Sequence, residues 1–249
     1  MNSNITTAVI LAAGLGSRLK HHTQDQPKGF LEVEGKSLIE RSIESLIQKG
    51  IRSIIIGTGY LPEYFDALKK KFPVITFRNE DYSTTGSMYT LYVLKHLIKE
   101  PILLLESDLL YDPVSLDYLL EDSREDVILA SDATHSGDEV YIQCSQQGLL
   151  EKMSKDKTQL REIHGELVGI TKLSATTVER MAQFSETHFN DGKRMLNYED
   201  ALVGVAAKHP IHVKVIEDLA WCEIDDENHL ERALNSVLPK ITQRLQTRH

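Results

Sequence analysis

The stretch TTAVILAA, residues 6–13, is apolar at nearly every position and runs straight into glycine. No polar alternation marks a wet face, so it reads as a strand buried on both sides. In SLIERSIESLIQKG (37–50) the period changes. Leu38, Ile39, Ile43, Leu46 and Ile47 recur at helical spacing, Ser37 with Glu40 makes a capping box, and Gly50 supplies the stop. The alternation continues through IRSIIIG, VITFRN, PILLLESD and DVILAS as strands, with LPEYFDALKKKF, SMYTLYVLKHLI and DPVSLDYLLED as the helices between them. Apolar strands separated by helices imply a parallel sheet covered on both faces.

Beyond about residue 135 the rhythm shifts. DEVYIQCSQQGLLEKM predicts a hairpin turned at Gly148, GELVGITKLS a strand, and SATTVERMAQFSE and NYEDALVGVAAKH helices. HVKVIE and AWCEI predict short strands, and DENHLERALNSVLPKITQRL a closing helix. No linker, repeat or low-complexity tract divides the chain. The expectation is one domain over residues 1–249, with a substrate-binding insertion at about 135–200. The fold class is α/β and Rossmann-like, a predominantly parallel mixed sheet with helices on both faces.

The loop after the first strand holds the first candidate chemistry. Ligands of doubly wound sheets bind beyond the carboxyl ends of the strands. Gly14 and Gly16 stand at such an end, where glycine lets backbone amides approach phosphate oxygens. Arg18 adds a permanent charge. Leu19 occupies the third glycine position of a dinucleotide fingerprint, and no Gly-Lys-Ser/Thr follows, so neither dinucleotide binding nor a Walker loop is indicated. A tight strand-to-helix turn is the plain alternative. Lys28 follows Pro27 and precedes a short apolar strand; a solvated loop lysine is the alternative there.

Asp108 ends PILLLESD and so faces the same sheet edge as the glycine loop. A helix cap is the competing role, but Pro113 delays the next helix and Asp112 already stands beside it. Glu223 and Asp225 alternate along a strand end and share one face, while Asp226 is placed to cap the last helix. The ten histidines show no metal-ligand spacing and read as surface or structural. In YSTTGSMY, backbone groups at Gly86 and Ser87 open a helix at the sheet edge, where they can read a pyrimidine; an N-cap by Ser87 or Thr85 is the plainer role.

Net charge of −9, with acids and bases interspersed, weighs against nucleic acid or an anionic membrane as the main partner. It leaves room for a small anion held by a local cluster of cations. Cys144 and Cys222 lie far apart without metal-ligand spacing, which predicts free thiols in a reducing compartment. The first residues carry no basic segment of a signal peptide, and no stretch approaches the roughly 18 apolar residues of a membrane span. The expected location is the cytoplasm.

LAAGLGSRL followed by PKGFLEVEGKSLIERSI resembles the signature of nucleotidyltransferases that activate small phosphorylated molecules with a nucleoside triphosphate. Those enzymes share L-A-A-G-x-G-x-R and P-K-x-L-x-x-x-G-K-x-L. The likeness continues in order through TTGSMYTL, ESD, NYEDAL and WCEIDDENHLERA, over nearly the whole chain. Phe30 departs from the usual leucine, and the first half lacks long sugar-binding elaborations. The chain is most similar to CTP-dependent cytidylyltransferases for phosphocholine and for 2-aminoethylphosphonate, and nearest the latter.

The resemblance implies a nucleotide-diphospho-sugar transferase-like fold. It implies nucleotide binding by Leu11, Ala12, Ala13, Gly14, Gly16, Arg18 and Lys28, with Gly86 and Ser87 toward the base. Lys28, Arg18 and Asp108 are then the catalytic candidates. Mg²⁺ falls to Asp108 and Asp225, with Glu223 a further candidate ligand. The implied reaction moves CMP from CTP to 2-aminoethylphosphonate; phosphocholine is the alternative acceptor, and a sugar 1-phosphate a more distant one. The implied partners are small molecules, an amine-bearing phosphonate or phosphate ester beside CTP.

A trimethylammonium is held against aromatic faces, whereas a primary ammonium donates to carboxylates. Trp221 lies outside the insertion, leaving Tyr111, Tyr141 and Tyr198 for a partial cage. Asp132, Asp138, Glu139 and Glu166 supply carboxylates within it, which tilts the reading toward a primary amine. Lys152, Lys155 or Arg161 is offered to the acceptor's phosphorus oxygens, a solvated charged turn being the alternative. Tyr198, Glu199 and Asp200 form a far wall or simply start a helix.

Overall fold

The computed structural model describes residues 5–16 and 26–247. The chain runs β1 (Thr7–Ala12), a 3₁₀ turn at Lys28–Phe30, β2 (Glu32–Val33), β3 (Lys36–Ser37), α1 (Leu38–Gln48), β4 (Ser53–Thr58), α2 (Pro62–Leu68) and β5 (Val74–Arg78). It continues through α3 (Ser87–Leu94), β6 (Ile102–Glu106), β7 (Leu109–Tyr111), α4 (Val114–Leu120), β8 (Val127–Ser131), β9 (Tyr141–Cys144) and β10 (Leu150–Ser154). It closes with β11 (Gly165–Leu173), α5 (Ala175–Asn190), α6 (Tyr198–Ala206), β12 (His212–Ile216), β13 (Trp221–Glu223), α7 (Glu227–Arg232) and α8 (Leu238–Thr247).

The two-residue period of a strand explains the double cover. Along β1, Ala8, Ile10 and Ala12 join one core while Val9 and Leu11 join the other. The first core includes Ile39 of α1, Phe65 of α2 and Leu116 of α4. The second takes Met88 and Leu91 of α3, Val178 of α5 and Leu202 of α6. A strand with apolar groups at every position is stable only between two such layers.

The main sheet has nine strands. β10-β9-β11-β6-β1-β4-β5 form its continuous path, and β8 carries β12 off β11. β1 is parallel to β4 and β6, β4 to β5, and β12 to β8, while β11 runs antiparallel to β6, β8 and β9. The sheet is thus mixed and mostly parallel, as the alternation predicts. From β1 the chain steps outward to β4 and β5, then returns to lay β6 on the other edge of β1. Connections leave β1 in opposite directions, so a crevice opens beyond the carboxyl ends of β1 and β6.

Two elements differ from the sequence expectation. The run PILLLESD stops at Glu106, and a separate β7 pairs antiparallel with β13, setting Leu109 opposite Glu223. The closing helix contains a π turn at Ala233–Val237 between α7 and α8. Pro239 cannot donate to the carbonyl four residues back and its ring crowds it, so the helix widens just ahead. This C-terminal run packs Val237, Leu238 and Ile241 against Leu110 of β7, Cys222 of β13 and Val33 of β2 in a third core. Both cysteines are free and buried. Among the described residues no helix is long and apolar enough to cross a membrane.

Candidate active site

The crevice is a cleft of about 430 Å³ at the ends of β1 and β6. Every nucleotide-binding, catalytic and metal candidate expected from sequence that falls among the described residues lines it. These are Leu11, Ala12, Ala13, Gly14 and Gly16 from the first loop, then Lys28, Gly86, Ser87, Asp108, Glu223 and Asp225. Arg18 lies outside the described residues. Gly16 has φ of 62°, a conformation that favours glycine, whereas a Cβ on Gly14 would meet nothing within 4 Å among the described residues. Gly14 lines the cleft.

Lys28 arrives on the 3₁₀ turn because three neighbours direct it. Pro27 holds φ at −65° ahead of the turn. Gly29 lets the turn press on the end of β6, since a Cβ there would lie 3.0 Å from the Ser107 carbonyl oxygen. Phe30 packs edge-on against Tyr64 and Phe65 at 5.3 and 5.1 Å, which gives its departure from leucine a physical use.

From that turn the Lys28 ammonium reaches Asp108 at 2.5 Å and Glu223 at 3.5 Å, and also pairs with Asp225. The β7–β13 ladder brings these carboxylates together, sealed by the Ile224 N–H donating to the Asp108 carbonyl at 3.1 Å. Burial by itself lowers the pKa of Lys28. Asp108, Glu223 and Asp225 together outweigh it and hold the ammonium well above its ordinary range.

The sequence reading missed Glu106, although it stands two residues before Asp108, the spacing that would put both on one side of the strand read from PILLLESD. Its Oε1 accepts from the Tyr198 hydroxyl at 2.6 Å. Glu106, Asp108 and Glu223 each place a carboxylate oxygen within 4.8 Å of the others. Burial, then the charges of Asp108 and Glu106, pushes Glu223 up to about 10. Burial, then Glu199 and Asp108, pushes Glu106 up to about 8. With Asp225, this is an oxygen-only donor set whose negative charge exceeds what Lys28 neutralises. Such a set fits a hard divalent cation such as Mg²⁺.

The wall around α3 corrects one expectation. Neither Thr85 nor Ser87 caps α3 through its side chain. Thr85 Oγ1 donates to the Asp81 carbonyl at 2.9 Å, and Ser87 Oγ accepts from the Tyr198 N–H at 3.0 Å, tying α3 to the start of α6. The Gly86 and Met88 N–H groups donate to the carbonyls of Arg194 and Leu196 at 2.9 and 3.2 Å. They are therefore engaged by the 191–197 loop, which Arg194 anchors to Asp81 at 2.6 Å. A Cβ on Gly86 would stand 2.2 Å from the Leu196 carbonyl oxygen. Gly86→Ala is expected to cost about 1–3 kcal/mol and to raise the nucleotide KM by displacing this wall. Urea melts and initial rates check both.

A smaller chamber of about 80 Å³ adjoins the cleft, sharing Glu106, Lys155, Glu199 and Glu223 with it. Asp138, Glu139 and Glu166 from the inserted region line it, whereas Asp132 instead accepts from the Asp218 N–H at 3.0 Å. Lys155 pairs with Asp138 at 2.6 Å at the junction of the two spaces. Lys152 and Arg161 turn away, to the Gln159 carbonyl and to Glu151. Tyr198 lines the cleft, but Tyr111 is buried in the first core and is no part of a cage. Trp221, expected away from the acceptor, lines the chamber, and its indole N–H donates to Ser131 at 2.8 Å. Distance along the chain misled here because β13 folds back beneath the inserted segment.

A glycine loop facing a lysine held among carboxylates meets the demand of moving a nucleotidyl group between two anions. Fold and cleft together define a nucleotidyltransferase. A family model, the MobA-like NTP transferase domain, matches residues 8–171. The choline-phosphate cytidylyltransferase of Streptococcus pneumoniae is 31% identical over 233 residues, covering 92% of this chain and 98% of that protein. The 2-aminoethylphosphonate cytidylyltransferase of Lancefieldella rimae is 26% identical over 229 residues, 90% of each chain. A solved CTP:phosphocholine cytidylyltransferase from Streptococcus pneumoniae superposes with a TM-score of 0.79 at 26% identity, over 93% of this chain and 99% of that one. The chain belongs to the MobA-like NTP transferase family, and the resemblance to cytidylyltransferases read from its motifs holds.

Proposed function

We propose that this chain transfers CMP from CTP to 2-aminoethylphosphonate and releases pyrophosphate, a step of phosphonate biosynthesis. A phosphonate oxygen attacks the α-phosphorus of CTP, the new P–O bond forms, and the bond to pyrophosphate breaks in line. The attacking oxygen is anionic near neutral pH, so no general base is needed. The obstacle is repulsion between anions, and positioning with charge neutralisation answers it.

The loop amides around Gly14 and Gly16, with Arg18, are assigned to the β- and γ-phosphates. Lys28 is assigned to the α-phosphate. Asp108, Asp225 and Glu223, with Glu106 beside them, would hold Mg²⁺, which supplies positive charge to the triphosphate. Lys155, at the junction of cleft and chamber, is assigned to the acceptor's phosphorus oxygens.

The observation that carries the acceptor is Glu199. Among the described residues its buried Oε2 has no hydrogen-bond partner, and the residue lines both spaces. Burial pushes the Glu199 carboxyl up to about 7. A primary ammonium supplies the missing donor and a compensating charge. Glu199→Gln is expected to lower kcat/KM for 2-aminoethylphosphonate roughly ten- to a hundredfold while the KM for CTP stays unchanged.

Phosphocholine is the second reading, favoured by Trp221 in the chamber wall and by the pneumococcal relative. Pyrophosphate release is to be measured with CTP, Mg²⁺ and each acceptor in turn. A kcat/KM for 2-aminoethylphosphonate at least about tenfold above that for phosphocholine, some 1.4 kcal/mol, supports the first reading. The reverse order overturns it, and turnover confined to hexose 1-phosphates overturns both.

A further inference from the structure

His229 lies in the first turn of α7, is 5% exposed, and borders the acceptor chamber. Its Nδ1 accepts from the backbone N–H of Asp225 at 3.2 Å, and its Nε2 lies 3.3 Å from the Ser136 carbonyl oxygen. A carbonyl only accepts and an amide N–H only donates. The two partners therefore assign the proton to Nε2 and leave Nδ1 bare. Both ring nitrogens are used, each toward a different part of the site.

The two partners have separate duties. Asp225 carries a carboxylate of the Lys28 cluster. Ser136 belongs to the loop between β8 and β9, where His135 and Gly137 have positive φ of 57° and 94°. Asp132 ties the start of that loop to the Asp218 N–H at 3.0 Å, and three further ties hold its middle: Thr134 to Glu166 at 2.6 Å, Gly137 to Glu139 at 3.0 Å, and Asp138 to Lys155 at 2.6 Å. All three stay on the acceptor side. Of the ties named for residues 134–138, the imidazole alone reaches the helix start that bears Asp225. That segment is itself pinned, because Asp226 caps α7 through the His229 N–H at 2.9 Å.

We propose that His229 is a positioning residue that couples the acceptor loop to Asp225, so that the loop's seating on an acceptor and the aim of the carboxylate are set together. It touches neither substrate and acts through the two backbone groups it joins. The inference requires that Asp225 serve nucleotidyl transfer; it does not require a particular acceptor.

Two variants separate the bonds. His229→Asn retains an acceptor near the Nδ1 position and loses the contact with Ser136. His229→Gln retains a donor near the Nε2 position and loses the contact with Asp225. Amide hydrogen exchange of residues 132–140, Mn²⁺ affinity of the CTP complex by electron paramagnetic resonance, and steady-state kinetics are read for both. The kinetics use whichever of 2-aminoethylphosphonate and phosphocholine the wild type turns over.

The Asn variant is expected to speed loop exchange and raise the acceptor KM roughly tenfold, with kcat and Mn²⁺ affinity near wild type. The Gln variant is expected to keep loop protection and acceptor KM while kcat and Mn²⁺ affinity each fall roughly tenfold. Parallel changes in the two variants, or a lower Tm with all other readouts at wild-type values, overturn the coupling. If the wild type uses neither acceptor, the acceptor assignment fails while the exchange and Mn²⁺ measurements still decide this one.

Discussion

Lys28→Ala is expected to cut kcat by about 10²–10³ with the far-ultraviolet circular dichroism spectrum unchanged. The side chain is 12% exposed and pairs with three carboxylates. Its ammonium is held charged by Asp108, Glu223 and Asp225 against the opposing effect of burial. Removing it strands negative charge at the end of β6, which in EDTA should cost about 3 kcal/mol, the lower end of the range for a broken buried pair. Mg²⁺ should restore much of that stability, since it answers the same excess charge. It should not restore turnover, because it cannot replace the cation assigned above to the α-phosphate. A variant with wild-type kcat would remove Lys28 from the mechanism, and a Tm indifferent to Mg²⁺ would remove the metal from this cluster.

Asp108→Ala should lower kcat by at least roughly 10² and weaken Mn²⁺ binding to the CTP complex by at least about tenfold. Its stability signature should differ. Lys28 keeps Glu223 and Asp225, and the Ile224 N–H still finds the backbone carbonyl of residue 108. The repulsion that Asp108 imposes on Glu223 and Glu106 disappears. The Tm in EDTA should therefore stay near wild type and above that of Lys28→Ala. Metal titrations paired with thermal melts separate the two variants, and a drop in Tm as large as that of Lys28→Ala would mean that Asp108 acts chiefly as a structural partner.

Local pattern carried most of the frame. Strands buried on both faces and the amphipathic α1 are readable because their periods are short and their neighbours lie close in sequence. The glycine loop and Asp108 were legible because each follows a strand end, where a doubly wound sheet must open, and Lys28 because it follows a proline just ahead of a short apolar strand. What escaped is long-range. Nothing near Leu109–Tyr111 announces that β13 will pair with it, and that pairing is what brings Glu223 and Asp225 to Lys28. Glu106 carries a usable signal, its two-residue offset from Asp108. Trp221 and His229 carry none, since their meaning depends on a segment some 90 residues earlier in the chain. The amides of Gly86 and Met88 look available at a helix start until the 191–197 loop is seen lying across them.

The charge cluster joins residues 28 and 108 to residues 223 and 225, with the C-terminal helical run packed behind the last pair. During translation a nascent chain thus has its glycine loop long before the charge cluster proposed to do the chemistry can form. Fragments released early, including those ending near residue 171, where the family match ends, would carry the recognisable motifs yet stay chemically silent. Competence arrives late, only once residues 223–225 have been made.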